Sequence, residues 1–148
     1  MIRALNTTDT QRMAEIHAQS FPKGWDDADM WAHIHKDMCF GFGRPLDGFV
    51  IISSAADQAE ILTIAIDPSQ RRRGIARALL EITETELVDN GVDTLFLEVA
   101  EDNQAAIEFY KGAGFEPIGR RPGYYKRELG RVAAITYRKR LAANDRLG

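Results

Sequence analysis

An α+β architecture, a mixed and mostly antiparallel sheet of about six to seven strands flanked by about four helices, is what the sequence predicts. Three observations predict it. Short apolar runs between residues 39 and 66 are separated by tight polar turns, which makes an antiparallel meander rather than strands joined by crossover helices. The meander leads directly into a long amphipathic helical pattern, about Gly74 to Asn90. An apolar strand, Thr94 to Val99, is then followed by another helical pattern and two more strand-like runs, so the element order reads βααβββαβαββ.

Met1 to Leu5 reads as a short first strand. Thr8 or Asp9 is placed to cap a helix running to about Ser20, with Met13, Ile16 and His17 on its inward stripe. Phe21-Pro22-Lys23-Gly24-Trp25-Asp26 breaks that helix, and Asp26 is placed to cap a second one from about Asp27 to His35. A break carrying the two large aromatics Phe21 and Trp25 suits either the wall of a substrate pocket or a packed core anchor. Cys39 to Pro45 and Gly48 to Ala55 are expected to form a hairpin around Leu46-Asp47, and a turn near Ala56-Asp57 leads to a strand from about Glu60 to Ile66. In the long helix Ile75, Leu79, Leu80, Ile82 and Leu87 are expected inside and Glu81, Glu84 and Glu86 outside, with Asn90-Gly91 as its stop. Asp102-Asn103 caps the last helix, which carries Ala106, Ile107 and Tyr110 on one face and ends at Gly112-Ala113-Gly114. Phe115 to Arg121 and Val132 to Tyr137 are expected to close the sheet, with Tyr124-Tyr125 in a loop after Pro122-Gly123.

The 148 residues, 45% of them hydrophobic, are read as one globular domain without repeat or linker. No apolar run approaches membrane-spanning length and the N-terminus has no apolar signal core, so a cytoplasmic location away from membranes is expected. A net charge of -3 argues against general nucleic-acid binding. Cys39 is the single cysteine, which excludes an intramolecular disulfide and a cysteine metal cluster, and beside Phe40 it reads as a small buried hydrophobe. His17, His33 and His35 lack the spacing of a helical metal pair, and no metal is expected.

The chemistry concentrates where the strand ending at Ile64-Ala65-Ile66 runs through Asp67-Pro68 into Arg71-Arg72-Arg73-Gly74-Ile75-Ala76. Small residues admit a phosphate close to the backbone, and the unpaired N-H groups and dipole of a helix start favour its charge. The stretch therefore reads as an anion cradle for a pyrophosphate or similar group. It lacks the Gly-Lys-Ser/Thr ending of a P-loop and the three glycines of a dinucleotide fingerprint. Glu98, a carboxylate near the end of an apolar strand, either reaches solvent or has a functional reason to be there.

The spacing Arg71-x-x-Gly74-x-Ala76 resembles the coenzyme A signature of the GNAT superfamily of acyl-CoA-dependent N-acyltransferases. Leu97-Glu98-Val99 and Asn103-x-x-Ala106-x-x-x-Tyr110-x-x-x-Gly114-Phe115 are similar to that superfamily's strand and last helix. Within it, His17-x-x-x-Phe21-Pro22-x-x-Trp25 and Arg120-Arg121 followed by Tyr124-Tyr125 resemble the ribosomal-protein-alanine N-acetyltransferases. The resemblance implies a GNAT fold, acetyl-CoA as co-substrate and transfer of its acetyl group to a protein N-terminal amine. It carries the general base to Glu98 and the general acid to Tyr110. It also implies that backbone of Ile64 to Ile66 holds the acetyl carbonyl, that Arg71 to Ala76 holds the pyrophosphate and that Asn103 touches the coenzyme arm. The strand before the cradle would carry a bulge and splay from its neighbour to admit that arm. Acceptor walls would come from Phe21, Trp25, Tyr124 and Tyr125. Where the alanine acetyltransferases commonly place an acidic residue after Gly130-Arg131, this chain reads Val132-Ala133-Ala134. The acceptor therefore stays open between a protein N-terminus and a small amine such as an amino acid, polyamine or antibiotic, with a non-catalytic acyl-CoA-binding module as the third reading. Monomer and homodimer are both compatible with the sequence.

Overall fold

The structure, a computed structural model, describes residues 1–141. Strands β1 (Ile2–Ala4), β2 (Met38–Phe42), β3 (Gly48–Ala55), β4 (Gln58–Ile66), β5 (Thr94–Ala100), β6 (Glu116–Arg127) and β7 (Gly130–Arg140) alternate with helices α1 (Thr10–Ser20), α2 (Asp27–Lys36), α3 (Ile75–Asp89) and α4 (Gln104–Gly112) in the expected order. The strands form one 7-stranded sheet in the order β1-β2-β3-β4-β5-β7-β6. Among the described residues β4 and β5 alone pair in parallel, and the other pairings are antiparallel.

Local chemistry sets the helix ends. Asn6, not Thr8 or Asp9, caps the first helical segment, a 3-10 turn at Thr7–Asp9. Asp9 instead accepts from Asn6 N-H at 3.0 Å and pairs with Arg3, also at 3.0 Å, which ties the turn to β1. Asp26 and Asp29 form a reciprocal capping box at the start of α2, each bond 2.9 Å long. Asn103 caps α4 by accepting from Ala106 N-H at 3.2 Å.

The sheet separates two apolar clusters. One, under α3 and α4, joins Val50, Ile61, Leu79, Leu97 and Tyr110; the other, under α1 and α2, joins Met13, Ile16, Met30, Phe49 and Ile51. Each large aliphatic side chain buried there contributes about 1.5–3 kcal/mol. Cys39 lies in the second cluster, as its composition context suggested.

The structure corrects three further expectations. Tyr124 and Tyr125 lie within β6 rather than in a loop, because the register shift between Arg121 and Tyr125 absorbs Pro122-Gly123 as a bulge inside a continuing strand. Gly123 takes φ +62 there, which a side-chain-bearing residue adopts only with strain. On α3 the buried position is Thr83, whose hydroxyl donates to Leu79 C=O at 2.8 Å, while Ile82 is half-buried. Glu84 and Glu86 are also half-buried, Glu84 because it pairs with Lys139 at 2.9 Å. β5 is buried on one face only, with Leu95, Leu97 and Val99 inside and Phe96 and Glu98 half-buried opposite them.

Candidate active site

A bulge opens the site. Ile51 opposes Thr63 and Ile52 opposes Ile61, so Leu62 is one extra residue in β4. The β4–β5 pairing ends at the same place: its last partners are Ile61 and Leu97. Beyond them the strands part. The gap belongs to a cleft of about 780 Å3 lined by Ile61 to Ile64 on one side and Leu97 to Ala100 on the other. The α1–α2 turn contributes Ser20 to Lys23, α4 contributes Asn103, Ala106 and Tyr110, and β6 contributes Tyr124 to Arg127.

Glu98 faces this cleft and also lines a smaller cavity of about 360 Å3 with Glu60, Phe96, Arg121 and Thr136. Its Oε2 accepts from Arg121 Nε at 2.9 Å and from Thr136 Oγ1 at 3.3 Å. Its Oε1 accepts nothing among the described residues. In the smaller cavity desolvation first, and the Glu98 charge second, push the Glu60 carboxyl above its ordinary value. Tyr110 packs edge-on against Phe109 and Phe115, at ring separations of 5.1 and 5.5 Å. Burial raises its phenol well above the ordinary tyrosine value, so it holds its proton at neutral pH. Its hydroxyl has no hydrogen-bond partner among the described residues, and Tyr110 lines the cleft.

At the mouth of α3, Gly74 is the N-cap in the left-handed region, φ +77, with no side-chain cap over the first helical turn. Nothing lies within 4 Å of where its Cβ would be. Arg72, at φ +65, is a second left-handed residue in the turn. Asp67 holds the strand end by accepting from Ser69 N-H at 2.9 Å and pairing with Arg12. Arg71 reaches Ser20 Oγ at 3.4 Å, and Arg73 approaches Asp47 at 3.8 Å. Open N-H groups, an uncovered glycine and exposed guanidinium groups in one turn fit the diphosphate of a coenzyme.

The structure thus brings Glu98, Tyr110, Asn103, Ile64, Phe21, Tyr124 and Tyr125 to one cleft, with Arg71 to Ala76 in the turn that follows β4. Asn103 spends its side-chain oxygen on the α4 cap. Ala65 is buried in the α1–α2 cluster, Ile66 packs half-buried on the α3 side, and neither side chain lines the cleft. Trp25 stands outside the lining: its ring stacks between His17 and His33, both centroids at 4.7 Å. The α1–α2 aromatics therefore divide, with Phe21 on the cleft wall and Trp25 in the anchor. Ala133 and Ala134 are buried, at 2% and 0% exposure, and do not reach an acceptor.

The bulge and splay that the resemblance implied are present, but sequence reasoning did not place the extra residue at Leu62, and it missed Thr63, Arg127 and the pairing of Arg121 with Glu98. Arg121 lies 4.6 Å from the Tyr124 ring and Arg127 pairs with Asp102 at 2.8 Å. Nothing in composition signals a bulge. Among the described residues no group of His, Cys, Asp or Glu could hold a metal ion, and no helix is long and apolar enough to cross a membrane.

Comparison with known proteins agrees with this geometry. Residues 10–115 match the model of the Acetyltransferase (GNAT) family. The chain is 35% identical over 138 residues to the ribosomal protein bS18-alanine N-acetyltransferase of Escherichia coli K12, covering 90% of this chain and 93% of that protein. It is 35% identical over 140 residues to the N-alpha-acetyltransferase RimI of Mycobacterium tuberculosis, covering 84% of each. The crystal structure of the ribosomal-protein-S18-alanine N-acetyltransferase from Escherichia coli superposes with a TM-score of 0.89 at 32% identity, over 95% of this chain and 93% of that one. Ard1 from Thermoplasma volcanium superposes with a TM-score of 0.85 at 25% identity, over 95% and 97% of the two chains. With the cradle, the splayed strands and the family match in agreement, the chain belongs to the GNAT acetyltransferase family and is an acetyl-CoA-dependent N-acetyltransferase.

Proposed function

We infer that the acceptor is the N-terminal α-amine of a protein, of the kind the relatives' names describe for ribosomal protein bS18, and that Glu98 and Tyr110 move the protons. The observation that carries this reading is Glu98 beside the gap between β4 and β5, with Tyr110 lining the same cleft from α4. Ribosomal proteins would place the enzyme in the cytoplasm. The α1–α2 turn and the Tyr124-Tyr125 segment leave the cleft bordered by side chains that a peptide backbone can lie against.

Acetyl-CoA supplies a thioester whose acyl carbon accepts nitrogen and whose sulfur leaves. Gly74 to Ala76 and the arginines of the turn would hold its diphosphate, and the free edge of β4 past Ile61 would hold its arm. An α-amine titrates near about 8 and is largely protonated at neutral pH, so a proton must be removed before nitrogen can attack. Glu98 takes that proton on Oε1, directly or through water, while Arg121 and Thr136 fix Oε2. As the C-N bond forms and the C-S bond breaks, nitrogen gives up a second proton to solvent through Glu98. Tyr110 gives its proton to the departing sulfur and is reprotonated from solvent. The product amide keeps one N-H and one net proton is released. No covalent enzyme intermediate is required.

The test is release of coenzyme A thiol with a panel of N-terminal peptides, ribosomal-protein N-termini included, beside small amines. Turnover with one peptide class supports the reading. Turnover confined to small amines overturns it, and binding of acetyl-CoA without transfer to any amine would assign the chain as a non-catalytic module.

A further inference from the structure

The cleft holds one more polar side chain with nothing to bond. Thr63 is 7% exposed, and its Oγ1 is enclosed without any hydrogen-bond partner among the described residues, yet Thr63 lines the cleft. A buried hydroxyl left unpaired destabilises the fold unless something else uses it. The bulge puts it there. Thr63 opposes Ile51 and the extra residue Leu62 packs in the same α1–α2 cluster, so both side chains fall on that face of the sheet. Glu98 turns to the same face, because its neighbours Leu97 and Val99 belong to the opposite cluster. Thr63 and Glu98 thus stand on adjoining strands just past Ile61 and Leu97, where those strands have parted.

We propose that Thr63 is a positioning and selectivity residue for the acceptor, its Oγ1 accepting the one N-H that the amine keeps in the product while Glu98 removes the others. This rests on the assignment of Glu98 as the base. A neutral primary amine has two hydrogens and one lone pair. With one hydrogen on Thr63 and the other on Glu98, the lone pair has a single direction left, toward the gap where the thioester enters. A secondary amine has no N-H to leave in its amide product and gives Thr63 nothing to hold. The site therefore selects primary amines.

Thr63→Val keeps the shape and removes the hydroxyl; Thr63→Ser keeps the hydroxyl. With an alanine-initiated peptide, or whichever amine the panel shows to turn over, Thr63→Val is expected to lower kcat/KM by roughly ten- to a hundred-fold, the worth of one hydrogen bond to a charged or reacting group. Acetyl-CoA affinity by calorimetry should stay unchanged, Tm should not fall, and Thr63→Ser should recover most of the rate. Full activity of Thr63→Val overturns the proposal. So does a rate loss matched by weaker acetyl-CoA binding, which would assign the hydroxyl to the coenzyme, or a loss that serine fails to rescue, which would mean packing alone. Glu98→Gln run in parallel separates the two assignments: an inactive Glu98→Gln with a fully active Thr63→Val sinks only the role of Thr63, whereas a fully active Glu98→Gln sinks the base.

Discussion

Glu98 is gripped on one oxygen and free on the other. Arg121 and the Thr136 hydroxyl hold Oε2, so the carboxylate has a fixed orientation rather than that of a loose surface side chain. Glu98→Gln keeps the shape and removes the basicity, and we expect kcat to fall at least about 100-fold. The deficit should be largest below pH 7, where the amine is most protonated, and should shrink as pH rises past its pKa. Parent-like rates across a pH 6–9 series would remove Glu98 from its role. The role proposed for Tyr110 rests instead on the proton that burial keeps on it. Tyr110→Phe should slow transfer by roughly ten- to a thousand-fold and leave acetyl-CoA affinity nearly intact, since the ring still packs against Phe109 and Phe115. A thiol-release assay beside a binding titration checks it; a parallel loss of affinity would mean that the hydroxyl binds coenzyme instead.

At the scale of elements, two departures from regularity make the site. The extra Leu62 turns consecutive side chains of β4 to one face and ends its pairing with β5. The start of α3 is uncapped and opens on a left-handed glycine. An alanine at Gly74 has room for its Cβ but must hold φ +77, which costs roughly 1–2 kcal/mol. Gly74→Ala is therefore expected to lower Tm by a few degrees. It should also raise the KM for acetyl-CoA more than that for the acceptor, because the turn it strains is the proposed coenzyme cradle. Equal changes in the two KM values would mean that the strain acts on the whole cleft. β6 is laid along the opposite rim by Arg120–Glu101, Arg121–Glu98 and Arg127–Asp102. Pairs with at least one well-exposed member contribute little to stability, so their effect is to set where the strand lies.

For the molecule as a whole, the α1–α2 layer is locked by a column of rings. His17, 3% exposed, stacks on Phe21 at 4.4 Å and on Trp25 at 4.7 Å, and its Nδ1 accepts Trp25 N-H at 2.9 Å. That bond requires an unprotonated Nδ1. Burial first, and the His33 charge second, lower the pKa of His17 from 6.5 to about 4. The unfolded chain therefore binds a proton that the folded chain refuses between those values, and stability falls as pH drops from 6.5 toward 4 and is full above it. Thermal melts should show Tm declining across that window, with a shallower decline in His17→Asn. A Tm independent of pH there would contradict it. Because Phe21 belongs both to this column and to the cleft wall, acceptor turnover should weaken over the same interval.

Helix and strand order, the capping of α2 and α4 and the arginine-rich turn that opens α3 at Gly74 were all legible in the sequence, because each depends on neighbours a few positions apart: Asp26 with Asp29, Asn103 with Ala106, Gly74 with the turn before it. Glu98 and Tyr110 came into view through the resemblance to the GNAT superfamily, whose strand and last helix keep a fixed spacing; that both line one cleft is what the structure adds. Pro122-Gly123 looked like a loop because local preference cannot tell a strand that ends from one that bulges and continues against β7; the pairing partner decides. The same holds for Leu62, whose surplus exists only relative to the register with β3. Thr63 acquired meaning only when the parting of β4 and β5 put it in one cleft with Glu98, and Arg121 only when β6 laid it against Glu98. Separation along the chain, not the chemistry of the side chains, is what divided the determinants that could be read from those that only the tertiary structure decided.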